Sequence, residues 1–214
     1  KDIINKNFKT LNVNNVKSKV KKINLIKDFE HNYIFLVNGN LISSDFKFEE
    51  KNKVKIKNLD KSNVIKEIGD NSLVCLNHAL SNNGYSLEIK KNYKFKKVLV
   101  IYNYFTNDIK NIILNNKNKI KLNQNSNLHV IEYTINDSKF KFINNSYENI
   151  ILEKNSIFKN INLQNKKSDG FFHKFIKNEL HEKSNYTNFI FSSGFKFNKL
   201  DIESDLLGEN IKCN

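Results

Sequence analysis

Residues 150–164 read IILEKNSIFKNINLQ, and residues 120–133 read IKLNQNSNLHVIEY. Both follow one pattern, I-x-L-x-x-N-S-x-(L/F)-x-x-I-x-(L/Y), thirty residues apart. A weaker third copy, LHEKSNYTNFIF, starts at Leu180 and has Ser184, Tyr186, Phe189 and Phe191 in the matching places. A block recurring at a period of about thirty residues marks a stacked architecture, in which each unit needs its neighbours to bury its apolar face. Ile120/Leu122 and Ile150/Leu152 are two apart, so each pair lies on one face of a strand. Asn125-Ser126 and Asn155-Ser156 read as turns. Asparagine readily enters the left-handed region, and its amide can bond to an equivalent amide in the next layer. Leu128 and Ile131 are an odd number of residues apart, so a bend is expected between them if both face inward. The expected fold is mainly β: a parallel β-helix (β-solenoid) core with a small α/β N-terminal region. The competing reading is a β-sandwich with chance similarity between strands. The blockwise repeat and the scarcity of hairpin signals after residue 100 favour the solenoid.

The rest of the chain fits around this core. From residue 85 onward, short β-branched or aromatic runs (YSLEI, KKVLVIYNYF, NIILNN, KFKFI, FFHKFI, FKFNKLDIESDLL) are punctuated by Asn, Ser, Asp and Gly, not by helices. Residues 85–214 are therefore assigned to the β-helix core, expected to be truncated at its C-terminal end, and residues 1–84 to the N-terminal region. In that region VNNVKSKVKKINLI is a candidate amphipathic helix with Val16, Val20 and Ile23 near one face. Tyr33 to Val37 is a strand candidate, Asn38-Gly39-Asn40 a hairpin turn, and NKVKIKNL alternates with period two. NSLVCLNHALSNNG reads as a helix with Leu73, Leu76, Ala79 and Leu80 on one face, stopped by Asn83-Gly84. The chain opens at Lys1 and contains no Met, so it is expected to start inside a longer reading frame. An unfinished solenoid leaves an open strand edge, so the segment alone is expected to be sticky or poorly stable.

Composition narrows the function classes. With 214 residues the chain can bury roughly 70% of its unfolded surface. Hydrophobic residues make up 39% and include 17 Phe, which excludes a disordered chain. The formal charge of +14 resembles a nucleic-acid signal. Every basic residue is Lys, however, spread along the whole chain, and Asn is about a fifth of the sequence. That bias suits an AT-rich genome better than a base-reading surface, which needs the bidentate fork of Arg. The opening KDIINKNFKT has no apolar core of a signal peptide, and VLVIY at 98–102 is far too short to cross a bilayer. Two cysteines, Cys75 and Cys213, form no disulfide framework, and a cytoplasmic location is the default.

No catalytic constellation is legible. The histidines His31, His78, His129, His173 and His181 form no metal-binding pair. His129 lies near Glu132, a pair capable in principle of acid–base work, but a solvent-facing strand histidine is the favoured reading. His173, after Phe171-Phe172, reads as packed or capping a bend. Cys75 reads as a small buried hydrophobe, Cys213 supports no ligand assignment, and Glu49-Glu50 reads as a solvated acidic pair. There is no C-x-x-C, phosphate loop or G-x-S-x-G elbow. The protein is expected not to be an enzyme, with its cofactor and metal ligands unassigned.

The order of features resembles a known family. A strand with FLVNG, the helix LVCLNHALSNNG and then YSLEIKKNYKFKKVLVIYNYF look like the SufB/SufD family of iron–sulfur cluster assembly proteins. INLQNKKSDGFFH and GFKFNKLDIESDLLGENIKCN continue the likeness, with Leu206, Gly208 and Glu209 in place and Asn210 where the family has a second glycine. NFKTLNV resembles a decayed form of the family's entry motif. The VNG piece favours the SufD branch over SufB. The resemblance implies a parallel β-helix flanked by helical regions. It also implies a non-catalytic subunit of the SUF complex, partnering SufB and the ABC ATPase SufC, with an iron–sulfur cluster in the assembled complex. The family's ATPase-docking helices and SufB-interface histidine lie beyond Asn214 and map onto no residue here. Val37, Asn38, Gly39, Asn77, Gly84, Gly208 and Glu209 match as turn or packing positions with no chemistry assigned. Two other classes remain open: a secreted or surface β-helix acting on carbohydrate, and a basic nucleic-acid-binding domain.

Overall fold

The computed structural model describes residues 9–10, 25–59, 71–81, 83–164 and 167–214. Its strands in chain order are β1 (Lys9–Thr10), β2 (Asn32–Val37), β3 (Asn40–Asp45), β4 (Val54–Asn58), β5 (Tyr85–Ile89), β6 (Leu99–Phe105) and β7 (Ile112–Leu122). They continue with β8 (Asn127–Asn136), β9 (Ile143–Leu152), β10 (Ile157–Gln164), β11 (Ser168–His181), β12 (Asn185–Ser192), β13 (Phe195–Leu207) and β14 (Lys212–Cys213). Among the described residues one α-helix, α1 (Ser72–Leu80), precedes β5. The strands form two sheets. Sheet A runs β13-β11-β9-β7-β5-β4, with β1 beside β7, and sheet B runs β14-β12-β10-β8-β6-β2-β3. From β5 onward the chain alternates between the sheets and every pairing is parallel, which makes a β-solenoid of about four turns. Both sheets reach back into residues 32–58: β2 pairs parallel with β6, and β4 pairs antiparallel with β5.

The thirty-residue repeat is this stack. Leu122, Leu152 and Leu180 lie in one register column of sheet A, and Leu128, Phe158 and Tyr186 in one column of sheet B. All six are buried, and the Phe158 and Tyr186 rings stack at 5.9 Å. The corner between the sheets is the asparagine turn. Asn92, Asn125, Asn155, Lys183 and Asn210 occupy it on successive rungs, all with φ between 56° and 60°. Asn155 Nδ2 donates to Asn125 Oδ1 at 2.9 Å, and Asn125 Nδ2 donates to Asn92 Oδ1 at 2.7 Å, so the amides form the expected ladder. Ser126 and Ser156 close each turn by donating to Asn123 O and Glu153 O at 2.6 Å. A β-branched residue in this conformation costs about 1–2 kcal/mol, and loss of the amide bond about 1 more. Asn155→Val is therefore expected to lower the unfolding free energy by about 2–3 kcal/mol, against about 1 kcal/mol for Asn155→Gly, which loses the amide bond but tolerates positive φ. Urea titrations of the two variants check this.

Three expectations are corrected. There is no bend between Leu128 and Ile131: β8 is continuous from Asn127 to Asn136, the turn is complete by Ser126, and Ile131 simply faces the other way. It joins an apolar outer face of sheet B with Phe35, Val37, Val100 and Tyr102. The short strand candidates fuse into strands of 10 to 14 residues at β7, β9, β11 and β13, because the intervening asparagines stay extended and pair along the ladder. Helix α1 forms where expected, capped by Asn71 Oδ1 accepting from Leu73 N and Val74 N, but its buried residues are Val74 and Asn77, while Ala79 and Leu80 are exposed. Asn77 decides the orientation. Its Nδ2 donates to the backbone carbonyls of Asn116 and Asn145 at 2.9 and 2.8 Å, pinning the helix to the outer face of sheet A. Asn145 Nδ2 returns a bond to Leu73 O at 2.9 Å. The hairpin holds as expected, with Asn38 and Gly39 at φ 49° and 83° between β2 and β3. The amphipathic segment at 13–26 and the entry motif at 7–13 lie, apart from Lys9–Thr10 and Leu25–Ile26, outside the described residues.

Candidate functional site

The solenoid interior is not uniformly apolar. Near the asparagine corner it is filled by Leu87, Ile89, Leu99, Ile120, Leu122, Leu128, Ile150, Leu152 and their neighbours. The far end is plugged by Phe105, Ile109, Leu114, Phe142 and Phe172. Between the two plugs runs a polar lumen. Strand alternation puts Asn116 and Asn118 of β7, Ser146 and Glu148 of β9 and Lys174 of β11 on the inner face of sheet A. Glu132 and Thr134 of β8 and Asn162 and Gln164 of β10 face them from sheet B.

At its centre Lys174 joins both sheets. Its Nζ lies 2.7 and 2.8 Å from the two oxygens of Glu132 and 2.6 Å from Glu148 Oε2. Asn160 Nδ2 adds a bond to Glu132 Oε1 at 2.7 Å. All three charged side chains are more than nine-tenths buried. Burial works to strip Lys174 of its proton, but the attraction of Glu132 and then Glu148 outweighs it and holds the ammonium above its ordinary range. Burial pushes the Glu148 carboxyl up, against the pull of Lys174 and with the push of Glu132. Tyr85 and Tyr186 border the cluster, and burial followed by the Glu148 charge raises both phenols. One ammonium against two carboxylates ties sheet A to sheet B across the lumen.

A second polar network lies under α1. His173, 3% exposed, puts Nδ1 2.8 Å from Asn145 Oδ1 and Nε2 3.2 Å from Asp201 Oδ2. Asp201 also receives Lys199 at 2.7 Å and Asn71 Nδ2 at 3.3 Å, so the helix cap and the last long strand share one carboxylate. His173 is thus packed within β11 and does not cap a bend. Beside it His78 sets its ring against Tyr147 at 4.6 Å. Burial, and then the Lys117 charge, lower the His78 pKa to about 4. The unfolded chain therefore takes up a proton below about pH 6.5 that the fold refuses, and stability falls as pH drops from 6.5 toward 4. We expect on the order of 1–2 kcal/mol from this residue after solvent screening. His78→Phe should flatten that part of a pH series of urea midpoints, leaving smaller contributions from His129 and His173, whose pKa values burial also lowers.

The remaining candidates separate. His129 is exposed on the outer face while Glu132 points into the lumen, so the two form no pair. His31 bonds Tyr102 OH through Nε2 at 2.8 Å, and His181 is half-buried at the end of β11. Cys75 is half-buried, not enclosed as expected, because the helix turns Val74 inward instead; Cys213 is exposed. Glu49 is not a solvated partner of Glu50. It accepts from Asn32 Nδ2 at 2.7 Å, Tyr93 OH at 2.8 Å and the backbone N–H groups of Lys96 and Lys97, clamping the 46–53 loop onto the start of β6. Asn38 exchanges bonds with Thr106, and Gly84, at φ 130°, lies so close to β7 that a Cβ would overlap Lys117 O. A Cβ at Gly208 would press on the Glu182 backbone, and Glu209 O accepts from Lys183 N at 2.9 Å. Among the described residues no group of three or more His, Cys, Asp or Glu is placed to hold a metal ion, and no helix is long and apolar enough to cross a membrane.

Sequence reading missed the lumen triad. Its signal was present: Glu132 shares parity with Leu128 and Val130, Glu148 with Ile150 and Leu152, and Lys174 with Ile176 and Leu180. A comparison with curated proteins finds no match. A family model described as SUF system FeS cluster assembly, SufBD core domain, matches residues 104–214, the span from the end of β6 to the end of the chain.

Proposed function

This chain belongs to the family of SUF-system iron–sulfur cluster assembly proteins that carry the SufBD core domain, and from that premise we propose that it is a non-catalytic subunit of the SufD type. It works in the cytoplasm alongside a SufB-like paralogue and a SufC-like ABC ATPase, and the iron–sulfur cluster is the cargo of the assembled complex. Residues 1–84 form the N-terminal region and residues 85–214 the β-helix core. The observation that carries the reading is the coincidence of the family match with the parallel rungs β7 to β14. The SufD assignment draws its support from the Asn38-Gly39 turn, buried against Thr106, and from the ordered set of motifs around it.

The test is co-expression of the complete gene product with its candidate paralogue and ATPase. We expect the three to co-elute in size exclusion, and the complex to raise iron–sulfur cluster yield over the complex lacking this subunit. Elution of this subunit alone, or tight binding to duplex DNA that weakens steeply with added salt, defeats the proposal.

A further inference from the structure

The outer face of sheet B is a grid of apolar side chains in register. One row runs Tyr33, Val100, Ile131, Ile161 and Phe189; the next runs Phe35, Tyr102, Tyr133, Leu163 and Phe191. Exposure along these rows changes abruptly. Val100, Phe35 and Tyr102 are fully buried, whereas Ile161 is 43% and Phe189 60% exposed. The difference is a cover. Leu25 and Ile26 lie over the first strands of the grid, and Ile26 N donates to Tyr102 OH at 3.1 Å. Four residues after Ile26, Glu30 reaches Lys97 Nζ at 3.0 Å, just ahead of β6. An aliphatic pair followed by a carboxylate is thus the chemistry this face already accepts.

The same elements recur two strands along, over β10 and β12. Ile161, Leu163, Phe189 and Phe191 form the apolar floor, Tyr133 stands at its border with its ring 6.3 Å from that of Tyr102, and Lys159 is exposed near the start of β10, beside His129. Apolar residues clustered in this way on a solvent-facing sheet mark an interaction site. We propose that this second seat docks an extended segment of a partner protein, in which two adjacent aliphatic residues lie on the Ile161–Phe191 floor and a carboxylate a few residues later pairs with Lys159. The seat is a property of the surface and does not depend on the SufD assignment.

A synthetic peptide of residues 25–31, LIKDFEH, capped at both ends, serves as the probe. Titrated into the whole chain under NMR, it should shift the Ile161 and Leu163 methyl resonances saturably. Phe189→Ser combined with Phe191→Ser should weaken binding at least tenfold. Lys159→Glu should weaken it severalfold at low salt and less at high salt, because an exposed ion pair is screened. Lys159→Glu lies on the surface and keeps the proposal testable if the double Phe variant does not fold. No saturable shift at millimolar peptide, shifts confined to Val100 and Ile131, or binding unchanged in Lys159→Glu overturns the proposal. So does a finding that the Ile161 and Leu163 methyls are already shielded from a soluble paramagnetic probe in the peptide-free protein, since the chain would then cover the seat itself.

Discussion

Replacing Lys174 by Met is expected to lower the unfolding free energy by about 3–5 kcal/mol at pH 7.5, the usual consequence of leaving buried charge without its partner. In the wild type the ammonium lies within 2.8 Å of three carboxylate oxygens from two different sheets. Met fills nearly the same volume and leaves Glu132 and Glu148 facing each other across a closed lumen. Two such carboxylates repel each other, and the Glu148 carboxyl, already raised by burial, loses the lysine that held it down and rises further above its unfolded value. A carboxyl raised in this way is destabilising above its unfolded pKa, and the penalty disappears as pH falls below it. The deficit of Lys174→Met should therefore be greatest at pH 7–8 and shrink steadily toward pH 4–5. Paired urea titrations of wild type and variant across that range check it. A deficit independent of pH would mean that the lysine acts by packing alone.

Gly84→Ala should be as damaging by a different route. Gly84 sits at φ 130°, where L side chains are strained, and an added Cβ would overlap the carbonyl oxygen of Lys117. That carbonyl belongs to β7 and cannot yield without disturbing the strand, since Lys117 N donates to Asn83 O at 2.9 Å and Gly84 O accepts from Leu59 N at 3.2 Å. Strain of about 1–3 kcal/mol adds to the loss of these bonds and to the displacement of α1, which is pinned to the same strand through Asn116 O. A loss of about 4 kcal/mol or more is expected. Gly194→Ala, at φ 88° on the exposed turn before β13, is the comparison and should cost about 1 kcal/mol. Thermal melts of the two variants should separate by many degrees.

The sequence made the stack legible because the asparagine corner imposes one backbone conformation on every rung, and few residue types satisfy it. Ile120, Leu122, Ile150 and Leu152 could then be placed by parity alone. The same parity rule would have revealed the lumen triad, had the inward frame been carried from Leu128 through Val130 to Glu132. It was lost at Ile131, an apolar residue on a face taken to be solvent-exposed. Sheet B is apolar on both sides, so hydrophobicity there does not report direction. Helix α1 misled for the converse reason: its leucines suggested a buried arc, but one amide reaching two sheet carbonyls outweighed them. Glu49 could not have been found locally, because its four donors come from segments 17 and more than 40 residues away.

The positive-φ corner has a geometric consequence for the shape of the whole stack. Corners fall at residues 92, 125, 155, 183 and 210, so successive coils shorten from 33 to 27 residues. Part of the change falls just after the first corner, where Lys94 pairs with Asn127 but Leu99 with Val130, two residues fewer. The opposite connections absorb most of the rest, contracting from residues 137–142 after β8 to residues 193–194 after β12. The barrel is therefore tapered, hinged along one straight seam with its girth drawn in on the other side. Length variation between relatives should accumulate on that loose flank, the seam staying fixed in spacing from coil to coil.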